Sequence, residues 1–170
     1  MTTRDFCVKW GAYGLAVLPV WFLEIFILGR IPFPGACPML LPMAAVAVAV
    51  LEGGVAGAGF GLAVGILCDA VYFGAAGAWT IGLALLGAGA GVAARYGLRQ
   101  NLAGCLLCSL VGLLFIDGLR VLVRLMAGVA PLPVLAAVAL PEIFWSMLFV
   151  FPIYALFLWV FNRVPKRTVL

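Results

Sequence analysis

Four carboxylates lie within or at the start of long apolar stretches of this chain, where an acidic side chain needs a partner. They are Glu24, Asp69, Asp117 and Glu142. An unpaired carboxylate near the centre of a membrane-spanning helix costs about 2.5 to 3.5 kcal/mol, and less towards the membrane surface. We therefore expect these acids to share cations, protons or water, with Arg30, Arg120 and Arg124 as the available bases.

The same inventory of residues predicts no catalytic site. The 170-residue sequence contains no histidine, and no hydroxyl or thiol nucleophile has a base at a recognisable spacing. Cys105 and Cys108 are three residues apart, but without histidine nearby we interpret them as small packing residues rather than as a zinc or redox site. The sequence predicts a protein that is not an enzyme and that uses no metal and no cofactor.

Each acid also has a simpler structural interpretation. Glu142 follows a proline and would complement the positive end of a helix dipole. Glu24 and Asp117 would each form a static ion pair with one arginine, and Asp117 and Arg120 have the i, i+3 spacing of neighbours on a helix. Glu52 stands beside two glycines and is predicted to be a solvated turn residue.

The composition identifies the chain as an integral membrane protein. Hydrophobic residues make up 67% of it, charged residues 9%, and the mean hydropathy is +1.29. Apolar runs continue to Phe161, unlike a secretory signal followed by a polar chain. The net charge of +4 comes from basic residues at segment ends, where membrane proteins carry them, so the expected partner is the lipid bilayer and not nucleic acid.

The breaks between apolar runs predict an all-α transmembrane bundle that forms one domain over residues 1–170. Proline and glycine clusters divide the chain into lengths that suit a bilayer. The short second segment contains Pro42 and is predicted to tilt, kink or merge with its neighbour, which leaves a five-helix count as an alternative. The six predicted helices cover residues 10–29, 36–51, 54–74, 77–95, 102–122 and 141–161.

The distribution of lysine and arginine predicts which side of the membrane each end faces. With six helices, seven of the ten basic residues fall on the side that holds both termini. Because positive residues concentrate on the cytoplasmic side, we expect both termini to be cytoplasmic.

Glycines recur at every fourth position along the third predicted helix. Gly53, Gly57, Gly61 and Gly65 follow this spacing, and Asp69 occupies the next step. Residues four apart share one face of a helix, and a face of glycines lets another helix approach closely in lipid. The spacing predicts a helix-packing seam that ends in a carboxylate.

The predicted orientation brings the four acids to one depth. We expect Asp69 to belong to a polar cluster in the outer half of the bundle, with Glu24, Asp117 and Arg120 as its neighbours and Glu142 close by. Such a cluster would hold the outer ends of helices three, one and five in register. Alternatively, it would line a pocket for a ligand or a partner's helix, and the sequence leaves both open.

Three stretches carry a resemblance to a known family. "PMLLPMAAVAVAVLEGG" is a proline-containing second segment, and "GVAGAGFGLAVGILCDAVYFGAAG" is a glycine-rich run that ends in Gly-x-x-x-Asp. The closing helix, "EIFWSMLFVFPIYALFLWVFNRV", has a proline and a basic end. Together they resemble the rod shape-determining MreD family of bacterial inner-membrane proteins, and the specific motif covers residues 38–77.

This resemblance implies a non-enzymatic scaffold of the cell-elongation machinery in the bacterial cytoplasmic membrane. The implied partners are the bitopic protein MreC and, with it, MreB, RodA and a penicillin-binding transpeptidase. Only Asp69 and the glycines beside it match the family motif. The alternative is the substrate-binding component of an energy-coupling-factor vitamin transporter, a class that also has about six helices and small-residue packing faces.

Overall fold

The computed structural model describes residues 3–30, 38–71, 77–96 and 101–164. Six α-helices account for most of this part of the chain, which is 92% helical and contains no strand. They are α1 Thr3–Phe22, α2 Leu41–Glu52, α3 Gly54–Val71, α4 Ala78–Tyr96, α5 Leu102–Met126 and α6 Leu132–Arg163. The predicted all-helical bundle of six helices is confirmed.

Four of the described helices are long and apolar enough to cross a membrane. These are α1 with the turns that extend it to Arg30, together with α4, α5 and α6. Helices α2 and α3 are apolar but shorter. The chain is therefore a membrane protein in which short helices accompany full-length ones.

The short helix α2 forms the centre of the bundle. Every residue from Leu41 to Leu51 is buried, and most of them are alanine or valine. Twelve residues extend only about 18 Å, less than the hydrocarbon core of a bilayer. Pro42 lies in the first turn, where a missing amide costs nothing, so the predicted kink at this residue is wrong.

Helices α3 and α4 touch through their backbones along the glycine seam. A methyl group added at Gly57 would lie 2.6 Å from the carbonyl oxygen of Gly87. One added at Gly61 would overlap the carbonyl of Leu83, and one at Gly65 would reach the carbonyl oxygen of Trp79 at 2.7 Å. These three glycines therefore face α4 at a distance that excludes any side chain.

The first member of the predicted seam, Gly53, has a different role. An added methyl group there would meet nothing within 4 Å, and its φ of 95° lies in the region that favours glycine. Gly53 ends α2, and Gly54 takes its place at the α3–α4 contact. The backbone of Gly53 nevertheless lies against α4, because a methyl group added at Gly91 would come within 2.5 Å of its carbonyl carbon. Gly53 therefore meets the seam through its backbone, but the position requires glycine for the turn rather than for room.

Helices α5 and α6 form a hairpin that is longer than the sequence predicts. Helix α5 continues to Met126, and α6 begins at Leu132, nine residues before the predicted start. Pro141 is an interior residue of α6 rather than its first residue. A long apolar helix packed against neighbours tolerates an interior proline, so the predicted connection over residues 123–140 reduces to a short turn.

The other helix boundaries differ less from those predicted. Helix α1 begins at Thr3, seven residues early, because the charged residues before position 10 continue the helix. Helix α2 begins at Leu41 rather than at residue 36. The predicted end of the third helix, residues 72–74, lies outside the described residues.

Successive helices run in opposite directions, which gives the bundle two ends. The Lys9 end contains the start of α1, the end of α2 and the start of α3. The Arg120 end contains the start of α2 and the start of α4, since Arg120 lies beside Met39 and Trp79. These two ends carry the polar contacts described below.

Candidate functional site

Arg120 holds two carboxylates at its end of the bundle. Its Nη1 atom donates to Asp117 Oδ1 at 3.0 Å and to Glu142 Oε1 at 2.9 Å, so one guanidinium joins α5 to α6. The side chains of Asp117 and Glu142 are only 4% and 9% exposed, and that of Arg120 is 32% exposed. Buried carboxylates of this kind depend on their shared cation.

Further groups surround the Arg120 side chain. The ring centroid of Trp79 lies 6.0 Å from the guanidinium carbon, and Met39 Sδ lies 3.8 Å from Nη1. Asp117 Oδ2 is buried and has no hydrogen-bond partner among the described residues. Asp117 lines a space of about 20 Å³ between α5 and α6, which is enough for one water molecule.

Asp69 caps helix α4 instead of joining the Arg120 cluster. Its Oδ2 atom accepts from the Thr80 amide at 3.0 Å and from Thr80 Oγ1 at 2.6 Å, and Oδ1 accepts from the Trp79 amide at 3.3 Å. The first amides of a helix lack partners within it, and a carboxylate satisfies them. The sequence predicted Glu24, Asp117 and Arg120 as the neighbours of Asp69 in one polar cluster, whereas these hydrogen bonds of Asp69 go to Trp79 and Thr80.

Glu24 has a similar role at the start of α2. It lies in a π-helical turn, Leu23–Ile27, and its buried Oε2 accepts from the Leu41 amide at 2.9 Å. The Met39 amide donates to Ser146 Oγ of α6 at 3.0 Å. The start of the central helix is thus fastened from two sides, by α1 and by α6, and Ser146 was not singled out from the sequence.

A second polar cluster at the Lys9 end was missed. Lys9 Nζ donates to Glu52 Oε2, and the Tyr13 hydroxyl donates to Glu52 Oε1 at 2.8 Å. The Glu52 side chain is 11% exposed, so the prediction of a solvated turn residue is wrong. Lys9 and Tyr13 are four residues apart and share a helix face, which is the one signal in the sequence that points to this cluster.

Aromatic rings cover the Lys9 cluster on the side that faces the bundle interior. The Tyr13 ring lies 6.0 Å from that of Trp10, 6.1 Å from that of Phe60 and 6.3 Å from that of Phe157 between centroids. This packing joins α1, α3 and α6 and removes the Tyr13 hydroxyl and Glu52 from water.

The predicted polar residues therefore separate into two kinds. Asp117 and Glu142 both accept from Arg120. Asp69 and Glu24 lie at the same end of the bundle, and each holds the start of a helix. Among the described residues no group of three potential metal ligands occurs. The hydrogen bonds and ion pairs of these residues fix the helices relative to one another.

An apolar groove lies between α4 and α5. Its volume is about 440 Å³, and it opens on the outside of the bundle. Small residues make up half of its lining. The groove is lined by residues that include Leu85, Gly89, Ala93, Cys108, Gly112 and Phe115.

Comparison with known protein families, with characterised proteins and with solved structures finds no match to this chain.

Proposed function

We propose that the chain is a non-enzymatic membrane scaffold that acts in the bacterial cell-elongation machinery and binds an MreC-like bitopic protein. One observation carries the scaffold assignment: five of the six acidic side chains hold helices together. Glu24 and Asp69 accept from the amides that begin α2 and α4. Glu52 and Glu142 pair with basic side chains of other helices, and Asp117 shares with Glu142 the arginine that joins α5 to α6. Because these carboxylates fix the positions of helices, they suit a protein that offers a rigid surface to its partners.

The assignment to cell elongation rests on the MreD-like stretches of the sequence. In this proposal MreB, RodA and a penicillin-binding transpeptidase act in the same assembly. The protein lies in the cytoplasmic membrane with both termini in the cytoplasm. The ends of the bundle support this orientation, since Arg95 and Arg163 end α4 and α6 at the Lys9 end, the end at which α1 begins.

The vitamin-transporter alternative needs polar side chains that converge on a ligand. The acids predicted for such a pocket are already engaged by groups of this chain, because Asp117 and Glu142 pair with Arg120 and Asp69 accepts from the start of α4. The described contacts therefore favour the scaffold.

Co-purification tests the proposed function. The tagged chain is expressed with the MreC-like protein of the same organism, and separately with an unrelated single-span protein as the control. We expect a complex that survives size-exclusion chromatography in mild detergent with the first protein alone. A chain that purifies alone in both cases, and whose melting temperature rises with thiamine, biotin or folate, would support the transporter instead.

A further inference from the structure

The carboxylate of Asp117 has one oxygen that the Arg120 ion pair does not use. Asp117 Oδ1 accepts from Arg120 Nη1 at 3.0 Å, whereas Oδ2 is buried and has no hydrogen-bond partner among the described residues. The side chain is only 4% exposed, so bulk water does not solvate Oδ2. Buried carboxylate oxygens in proteins normally accept a hydrogen bond. Asp117 Oδ2 is therefore an acceptor for a further donor.

The Asp117 side chain lines a small space between α5 and α6, the α5–α6 space. Its volume is about 20 Å³, and a water molecule needs about 10 to 15 Å³ of such volume. A primary ammonium group is close to water in size, whereas a trimethylammonium group is several times larger. The lining residues include Asp117, Arg120 and Arg124 of α5 and Leu135, Val138 and Glu142 of α6. The α5–α6 space therefore admits one small donor group.

The charges around the α5–α6 space are unevenly placed. Asp117 and Glu142 share the single guanidinium of Arg120, so two negative charges face one positive charge in the interior. Arg124 lies seven residues after Asp117, about two helical turns along the same face of α5. Arg124 is exposed, and no ion pair of the described residues includes it. The α5–α6 space therefore has an excess negative charge inside and an unpaired positive charge at its rim.

The position of Arg124 relates this rim to the lipid headgroups. Arg124 lies in the last turn of α5, which ends at Met126. An exposed arginine is unfavourable within hydrocarbon, and long basic side chains near helix ends extend their charge to the membrane surface. Anionic headgroup atoms are the counterions available there. The rim of the α5–α6 space therefore lies within reach of headgroup phosphates.

The chemistry of the α5–α6 space distinguishes among small ligands. Water would donate to Asp117 Oδ2 but would leave the excess negative charge uncompensated. A metal cation would balance that charge and leave Arg124 without an anion. A primary ammonium joined to a phosphate supplies N–H donors and a positive charge for the carboxylates, and an anion for Arg124. The ethanolamine headgroup of a phospholipid has this combination, whereas a choline headgroup has no N–H and a glycerol headgroup has no positive charge.

We propose that the α5–α6 space binds the headgroup of phosphatidylethanolamine. The ammonium enters the space, donates to Asp117 Oδ2 and lies beside Glu142, while the phosphate accepts from the guanidinium of Arg124. The bound lipid thereby completes the charge balance where Arg120 joins α5 to α6. This inference goes beyond the proposed scaffold function and does not depend on it.

Competition between two lipids tests the inference. The full chain in detergent is incubated with equal amounts of phosphatidylethanolamine and phosphatidylcholine that have the same acyl chains, and native mass spectrometry counts the lipids that stay bound. We expect about a tenfold preference for phosphatidylethanolamine, because only its ammonium donates a hydrogen bond to a charged oxygen. Equal retention of the two lipids would overturn the inference.

Two variants locate the preference on the chain. Asp117→Asn removes the charge of the acceptor with little change of shape, and Arg124→Met removes the partner of the phosphate at an exposed position where folding is retained. Each should bring the retention of the two lipids close to equal. Arg95→Met, at an exposed arginine of the Lys9 end, is the control and should keep the full preference. A preference that survives in Arg124→Met would overturn the inference, even where Asp117→Asn fails to fold.

Free O-phosphoethanolamine distinguishes the lipid from its headgroup alone. This compound has the same ammonium and phosphate but no acyl chains. An amount equal to that of the lipid should not displace bound phosphatidylethanolamine, because burial of the acyl chains against the bundle adds to the affinity of the lipid. Displacement by that amount would assign the α5–α6 space to the soluble compound and would overturn the lipid as its occupant.

Discussion

Two apolar regions of the bundle differ in how they pack. One consists of the helices α2, α3 and α4, and the other is the α5–α6 hairpin. The first three have 12, 18 and 19 residues and meet through glycine and alanine, with backbone against backbone. The hairpin helices have 25 and 32 residues and expose leucine, valine and phenylalanine. The comparison shows that residue size decides how closely neighbouring helices approach, because only glycine and alanine allow the backbones of α3 and α4 to touch.

The polar groups also differ between the short helices and the hairpin. The short helices have buried ends, and the carboxylates of Glu24 and Asp69 satisfy the amides at those ends. The hairpin needs no such groups at its tip, because the turn over residues 127–131 is exposed. The ion pairs of Arg120 lie where the hairpin leaves the rest of the bundle.

The largest effect is expected from filling the glycine seam. Gly61→Leu should prevent folding, or lower the unfolding free energy by about 3 kcal/mol or more, because its side chain would enter the backbone of α4. Gly59→Leu is the matched control on the same helix, since nothing lies within 4 Å of that position. Thermal unfolding in detergent measures both variants. Equal melting temperatures for the two variants would show that the buried and the exposed glycine of α3 tolerate leucine equally well.

Removing the shared cation should have the next largest effect. Arg120→Met leaves the carboxylates of Asp117 and Glu142 buried without a base and should cost about 3 to 5 kcal/mol of stability. Arg124→Met changes an exposed arginine four residues further along α5 and should be nearly neutral. Denaturation curves of the two variants provide the measurement. A loss below about 1 kcal/mol for Arg120→Met would show that the carboxylates do not depend on it.

A smaller effect is expected at the cap of α4. Asp69→Ala should cost about 0.5 to 2 kcal/mol, whereas Asp69→Asn should keep most of the stability because asparagine also accepts from helix amides. The same unfolding assay compares them. An asparagine variant as unstable as the alanine variant would show that the charge itself matters, as in the cluster predicted from the sequence.

The smallest effect on stability is expected on the hairpin. Leu122→Gln should change the unfolding free energy by no more than about 0.5 kcal/mol, because the side chain is 51% exposed. Val129→Gln, in the turn of the hairpin, is the control and should be equally neutral. A loss above about 1 kcal/mol for Leu122→Gln, with Val129→Gln unchanged, would show that this part of α5 is packed rather than exposed.

The features found from the sequence are those that repeat locally. Spacing of four identified Gly57, Gly61 and Gly65, and spacing of three identified the Asp117–Arg120 pair. Local patterns report helix faces, which neighbouring residues share. These patterns do not show which faces of different helices pack against each other.

The features missed from the sequence depend on contacts between distant residues. Glu52 pairs with Lys9, which is 43 positions away, and the adjacent glycines suggested a turn in water. Asp69 reaches the start of α4 across a connection whose course the sequence does not define. Pro141 resembled a helix start, although in a helix packed within a membrane protein proline is compatible with the interior.

Water accessibility of the hairpin tests the central claim, that the Arg120 ion pairs lie at one end of the membrane-embedded bundle, with the turn of the hairpin beyond them at the membrane surface. The chain is placed in lipid nanodiscs with its native cysteines replaced by alanine and with a single cysteine from Met126→Cys or Leu114→Cys. A membrane-impermeant maleimide then reports exposure to water. We expect rapid labelling at position 126 and none at position 114, which lies six residues before Arg120. Protection of position 126 equal to that of position 114 would contradict the claim.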